Sequence, residues 1–302
     1  MSQNSVTQDS VTQDSLTQPG LAVDGRGSPI PPWSLIRAKM LELRRRRVLM
    51  AVAVAFTVAL PVILYGIRLI YHLSDPARYA PAGAPNIFAT AGTVMDEFGF
   101  IIAIALGATA GTSDLTDGMF RHLVITGRSR VALYLARIPA GLAILASLAA
   151  VGFTVVCLVT AFLGSPEPAS ATVISAGDMI RSGLWLELDL MIGFTVGLGL
   201  GSLMGQRTVP IILLVVLQII ITPPLADHAL PPFINGERLI VGVAMDQLKP
   251  AALVGGTTIG PGGGPHELHL PPMPTWAMIT VIAGWIVGWS IIGAWKMATR
   301  DA

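Results

Sequence analysis

Long apolar runs free of charge alternate with short charged segments along the chain. Val48–Ile67 lies between Arg47 and Arg68, Ile138–Pro166 between Arg137 and Glu167, and Leu268–Trp295 ends at Lys296. Phe98–Ser113 fills the gap from Glu97 to Asp114, while Leu190–Gln206 and Thr208–Ala226 are parted by Arg207 alone. About 20 apolar residues in a helix cross the hydrocarbon of a bilayer, so six spans are predicted, near 48–71, 92–113, 136–163, 183–205, 207–225 and 273–295. The second run has only 16 residues, about 24 Å of helix, so its span is expected to start ahead of Asp96 and Glu97. The fourth is expected to start near Gly183 and to carry Glu187 and Asp189 in its first turns.

Composition excludes the soluble alternatives. The 302 residues are 53% apolar and 12% charged, with a mean hydropathy of +0.68, whereas about a quarter of an ordinary soluble domain is charged. The expected class is all-α, a polytopic membrane protein. Basic residues gather in loops that stay cytoplasmic. With the N-terminus inside, six spans place 14 of the 19 Lys and Arg residues on the cytoplasmic side and 5 opposite. Dropping one span would move Lys296 and Arg300 outside, so both termini are expected to be cytoplasmic. The 19 basic and 18 acidic residues nearly cancel, which argues against a nucleic-acid partner. The single cysteine, Cys157, excludes an internal disulfide framework and a multi-cysteine metal site.

Residues 1–30 are polar and carry a five-residue repeat that begins Ser5-Val6-Thr7-Gln8-Asp9. They lack the apolar surface to offset ordering and are expected to form a disordered tail. They also lack the basic start and apolar core of a signal peptide. Over 31–47, Trp33, Leu35, Ile36, Met40, Leu41 and Leu43 interleave with Arg37, Lys39 and Arg44 behind Pro31 and Pro32, the pattern of a basic amphipathic helix at the lipid interface. The six-helix domain occupies 48–298, and its long external loop runs over 227–274, with room for a short helix in 234–254. His266-Glu267-Leu268-His269 sits in a Gly/Pro-rich part of that loop. Two imidazoles there make an incomplete ligand set, short of the helical His-Glu-x-x-His of a zinc site, so no metal is expected.

Small residues and buried polar groups add detail. Gly193, Gly197, Gly201 and Gly205 recur every fourth residue in the fourth span, Gly107 and Gly111 repeat the spacing in the second, and Gly284 and Gly288 in the sixth. Such ridges let helices approach closely where lipid removes the hydrophobic drive, and tight packing within one bundle is the expected use. No charge is expected near the middle of a span, where Gln218 is the most polar side chain. That weighs against a carrier driven by protons or sodium, which usually displays a mid-membrane acidic group or a broken helix pair. No acid, base and nucleophile come together in the sequence, so no catalytic site is expected; Cys157 lies among apolar neighbours, where a thiol is inert.

The stretch after the second span reads Gly107-Ala-Thr-Ala-Gly-Thr-Ser-Asp114-Leu-Thr-Asp117-Gly118-Met-Phe-Arg121-His-Leu-Val-Ile-Thr-Gly-Arg128-Ser129-Arg130. A small-residue span end, an acidic residue and glycine, a short basic and leucine-containing helix, and a Ser-Arg pair follow in order. This resembles the ABC-2 family of ABC transporter permeases. The resemblance extends over roughly 33–298 through the six spans, the amphipathic leading helix, the tight turn at Gly205-Gln-Arg207-Thr and the large last external loop. It implies a cytoplasmic coupling helix that docks on an ATP-binding subunit, with Asp114 or Asp117 in the acidic place, then Gly118, Arg121, Arg128 and the Ser129-Arg130 pair. No Gly-x-x-x-x-Gly-Lys-[Ser/Thr] loop occurs in the sequence, so ATP and Mg would be used by the partner and no cofactor bound by this chain. The resemblance also implies a second permease copy, a plasma-membrane location, and export of a hydrophobic or amphipathic substrate by alternating access. A self-contained secondary transporter and a membrane anchor for a partner protein are the competing expectations.

Overall fold

Backbone groups in lipid must close their hydrogen bonds within the segment, and long apolar runs meet that demand as helices. In the computed structural model, residues 32–116, 129–164, 174–217, 238–254 and 273–299 are described, and they form helices with no strand among them. α1 is Pro32–Arg44, α2 Arg47–Ser74, α3 Pro85–Thr116, α4 Arg130–Leu163, α5 Ala176–Met204, α6 Thr208–Val216, α7 Val241–Gln247 and α8 Thr275–Thr299. Five of them, α2, α3, α4, α5 and α8, are long and apolar enough to cross a bilayer. The chain is therefore a multi-pass membrane protein. Of the fifth predicted span only its start, α6, is described, and the rest of 207–225 lies outside the described residues. Outside them too are the 1–30 tail, Gln218, and most of the 227–274 loop with His266 and His269.

Two helices begin earlier than the apolar runs suggest. α3 starts at Pro85, where a missing N–H costs nothing in the first turn. α5 starts at Ala176 instead of near Gly183, because Ser175 caps it. The Ser175 hydroxyl accepts the Asp178 N–H at 3.1 Å while the Asp178 carboxylate accepts the Ser175 N–H at 3.4 Å, which satisfies two orphan donors at once. Asp189 thus stands as residue 14 of the 29 in α5, near its middle and not in its first turns.

Prolines shape two other spans. Pro61 has no N–H for the Thr57 carbonyl one turn earlier, and α2 widens to a π turn over Ala55–Ala59. The freed Thr57 carbonyl lies against Gly152 of α4, where a side chain would collide with it. In α4, Pro139 likewise leaves the Leu135 carbonyl without its usual donor, and the helix breaks at Ala136 before resuming at Arg137.

α3 and α5 form the centre. In each, 72% of the most apolar stretch is buried inside the protein, against 22% for α2 and 17% for α8. They run parallel and in contact, with α4 antiparallel beside both. α1, the predicted amphipathic helix, lies against α4 with Lys39 and Leu43 buried and Trp33 exposed. Lys39 pairs with Glu42 at 2.9 Å.

Candidate functional site

The central seam is built on glycine. A methyl at Gly107 would collide with the Phe194 carbonyl, and one at Gly111 would stand 2.6 Å from the Leu198 carbonyl. From the other side, Gly197 faces the Ile104 carbonyl at 2.5 Å, Gly201 the Ala108 carbonyl at 2.7 Å, and Gly193 the Phe100 ring at 2.9 Å. Backbone meets backbone here, so no side chain can replace hydrogen without moving a helix. Three of the predicted ridge residues do something else. Gly205 ends α5 in the left-handed conformation, φ 71°, where its missing Cβ relieves strain. Among the described residues, Gly284 and Gly288 have nothing within 4 Å of an added methyl, so they do not press on a described helix.

Gly199 and Gly293 hold α8 in place instead. Gly199 of α5 admits the Trp289 backbone, and Gly293 of α8 admits the fully buried Tyr134 of α4. Neither fits the four-residue ridge of its own span, which is why the spacing alone passes over them.

One end of the seam carries α1, the end of α3, the start of α4 and the Gly205 turn, and is rich in arginine. Arg137 is 1% exposed there and donates from Nη1 to the Gly111 carbonyl at 3.1 Å. The Ser202 hydroxyl reaches the same carbonyl at 3.4 Å. One backbone oxygen thus ties α3, α4 and α5 together and takes a charge-assisted hydrogen bond from the buried guanidinium. In the sequence Arg137 only bounds the charge-free run Ile138–Pro166; its inward turn is visible in the fold alone.

Of the predicted coupling residues, Asp117, Gly118, Arg121 and Arg128 lie outside the described residues. Asp114 falls in the last turn of α3. Ser129 is the N-cap of α4, its hydroxyl accepting the Ala132 N–H at 3.0 Å, and Arg130 opens the helix. The connection therefore leaves α3 one turn past Gly111 and returns into α4 two turns before Arg137.

At the other end a polar cluster lies between α3 and α5. The Asp96 and Asp189 carboxyl groups are neighbours across the α3–α5 seam, with Asp246 and Lys249 close by. α7 and the turn after it close this cluster over. Trp185 donates from Nε1 to the Met245 carbonyl at 2.9 Å, the Lys249 ammonium sits 5.4 Å from the Trp185 ring centre, and Leu253 fills the space left by Gly92. Asp189 comes to mid-helix because α5 starts about two turns before Gly183, where its span is expected to begin. No family model matches the chain, and no curated protein matches it.

Proposed function

We propose that this chain is the membrane-spanning permease subunit of an ABC transporter of the plasma membrane, working with a separate ATP-binding subunit and a second permease copy. The observation that carries the reading is the three-helix knot at the Gly111 carbonyl, close to the end of α3 and the start of α4 that flank residues 117–128. A push on that connection moves the end of α3 and the start of α4 together, and Arg137 and Ser202 pass it to α5. A stiff central pair then tilts as a body against its neighbours, the rigid-body motion that alternating access requires. The loop's sequence, Asp117-Gly118 through Arg121 to Ser129-Arg130, supplies the resemblance to a docking element. Replacing Asp117 and Arg121 together with Ala is expected to abolish transport-linked ATP hydrolysis while the assembled protein stays folded. Unchanged export with unchanged hydrolysis would defeat the proposal.

A specific observation favours a second reading, a carrier driven by protons. Asp96 and Asp189 form a carboxyl pair near mid-helix, the type of group such carriers use. Asp189→Asn separates the two. A proton-driven carrier loses transport and its dependence on the pH gradient, whereas an ATP-driven permease keeps nucleotide-dependent transport in vesicles without a gradient.

A further inference from the structure

A cavity of about 550 Å³ lies between α4 and α5, in the half of the bundle opposite the arginine-rich end. It falls within the about 300–1,000 Å³ range of small-molecule sites. On α4 it runs from Ala149 to Ala161 and on α5 from Ala176 to Glu187, so it is a slot about three helical turns long. Its walls are apolar: alanines, Phe153, Met179, Ile180 and Leu184. Ile180 and Leu184 are about two-thirds exposed at its rim, 64% and 66%, which opens the slot sideways toward lipid. At the end of the slot farthest along α5 stands the half-buried Glu187, the one carboxylic acid in the lining, and no ion pair to it occurs among the described residues. Its carboxylate lies about 16 Å along α5 from the helix start.

A lone carboxylate at that depth is unfavourable, and the ligand that best relieves it is a cation that is itself cheap to desolvate. A compact hydrated ammonium loses its water on entering such a slot, while a bulky ion with its charge spread beneath aromatic or alkyl groups loses little. We propose that this slot is a binding site for lipophilic cations entering from the bilayer, with Glu187 reading the charge and Phe153 and the apolar wall taking the body. The inference rests on the permease reading in that it names the class of substrate carried.

The test uses tetraphenylphosphonium and tetraphenylborate, two ions of the same shape and opposite charge, on the purified full-length chain in lipid nanodiscs without any ATPase. Equilibrium binding of each radiolabelled ion reports occupancy. Tetraphenylphosphonium should bind saturably, and tetraphenylborate should not. Glu187→Gln should weaken phosphonium binding by about tenfold or more, since an ion pair in apolar surroundings is strong, with the melting temperature kept. Ala150→Trp, at the slot wall, should fill the slot and remove the binding. Equal saturable binding of both ions would overturn the proposal in favour of a merely greasy groove. Absence of radiolabelled phosphonium binding would overturn it too, whether lipid or a second copy covers the slot. Because no ATPase is present, either failure leaves the co-purification of an ATP-binding partner free to stand or fall separately.

Discussion

The same small-residue spacing appears in α3 and in α8 with opposite outcomes. Gly107 and Gly111 press against the backbone of α5, whereas Gly284 and Gly288 press on no described helix. Helix α3 has 72% of its most apolar stretch buried and α8 has 17%. Four-residue spacing therefore licenses a close approach without specifying that one occurs. What selects the partner is a matching ridge, Gly193, Gly197 and Gly201 on α5, together with polar ties at both ends of the seam: Arg137 and Ser202 on Gly111 at one, Asp96 with Asp189 at the other. α8 is instead docked through single notches, Gly199 and Gly293, and through the Trp285 Nε1 donation to the Leu239 carbonyl at 2.8 Å.

The contrast breaks most sharply at Gly107. Gly107→Leu drives a side chain into the Phe194 carbonyl and should cost about 3 kcal/mol or more, read as loss of monodisperse protein and a collapsed melting temperature. Arg137→Met keeps much of the volume but removes the donor to Gly111; a loss of about 1.5–3 kcal/mol is expected in denaturant titration. Ser175→Ala dissolves the capping box and should cost about 1 kcal/mol, with faster amide exchange confined to the first turns of α5. The double change of Gly284 and Gly288 to Ala should shift the stability of the single chain by less than about 0.5 kcal/mol. A large loss there would mean that the ridge of α8 has a partner within this chain after all.

Much of this was legible in the residues. Charge-free runs disclose the spans, because lipid tolerates little else, and a helix at α1 shows in the run behind Pro31 and Pro32. The α3–α5 seam shows in the glycine period. Helix starts were less visible: Ser175 and Asp178 lie in polar sequence outside the apolar run, and an apolar count stops short of them. That displaced Asp189 by two turns and hid its meeting with Asp96, a contact between residues 93 apart in sequence. Arg137 was hidden for the opposite reason. A single cation at the edge of an apolar run reads as a membrane flank, and only the fold shows that it turns inward to a carbonyl 26 residues earlier. The Glu187 slot depends on how α4 and α5 diverge, which no periodicity encodes.

The central claim is that a separate ATP-binding protein works on this chain through the 117–128 connection. The direct measurement is affinity purification of the tagged chain in mild detergent, with its companions identified and counted by mass spectrometry. The account predicts an ATP-binding protein in stoichiometric amount, lost when Asp117 and Arg121 are both changed to Ala. A clean preparation without an ATPase, under conditions that keep other ABC assemblies intact, would contradict it and leave the Asp96–Asp189 carrier as the reading to pursue.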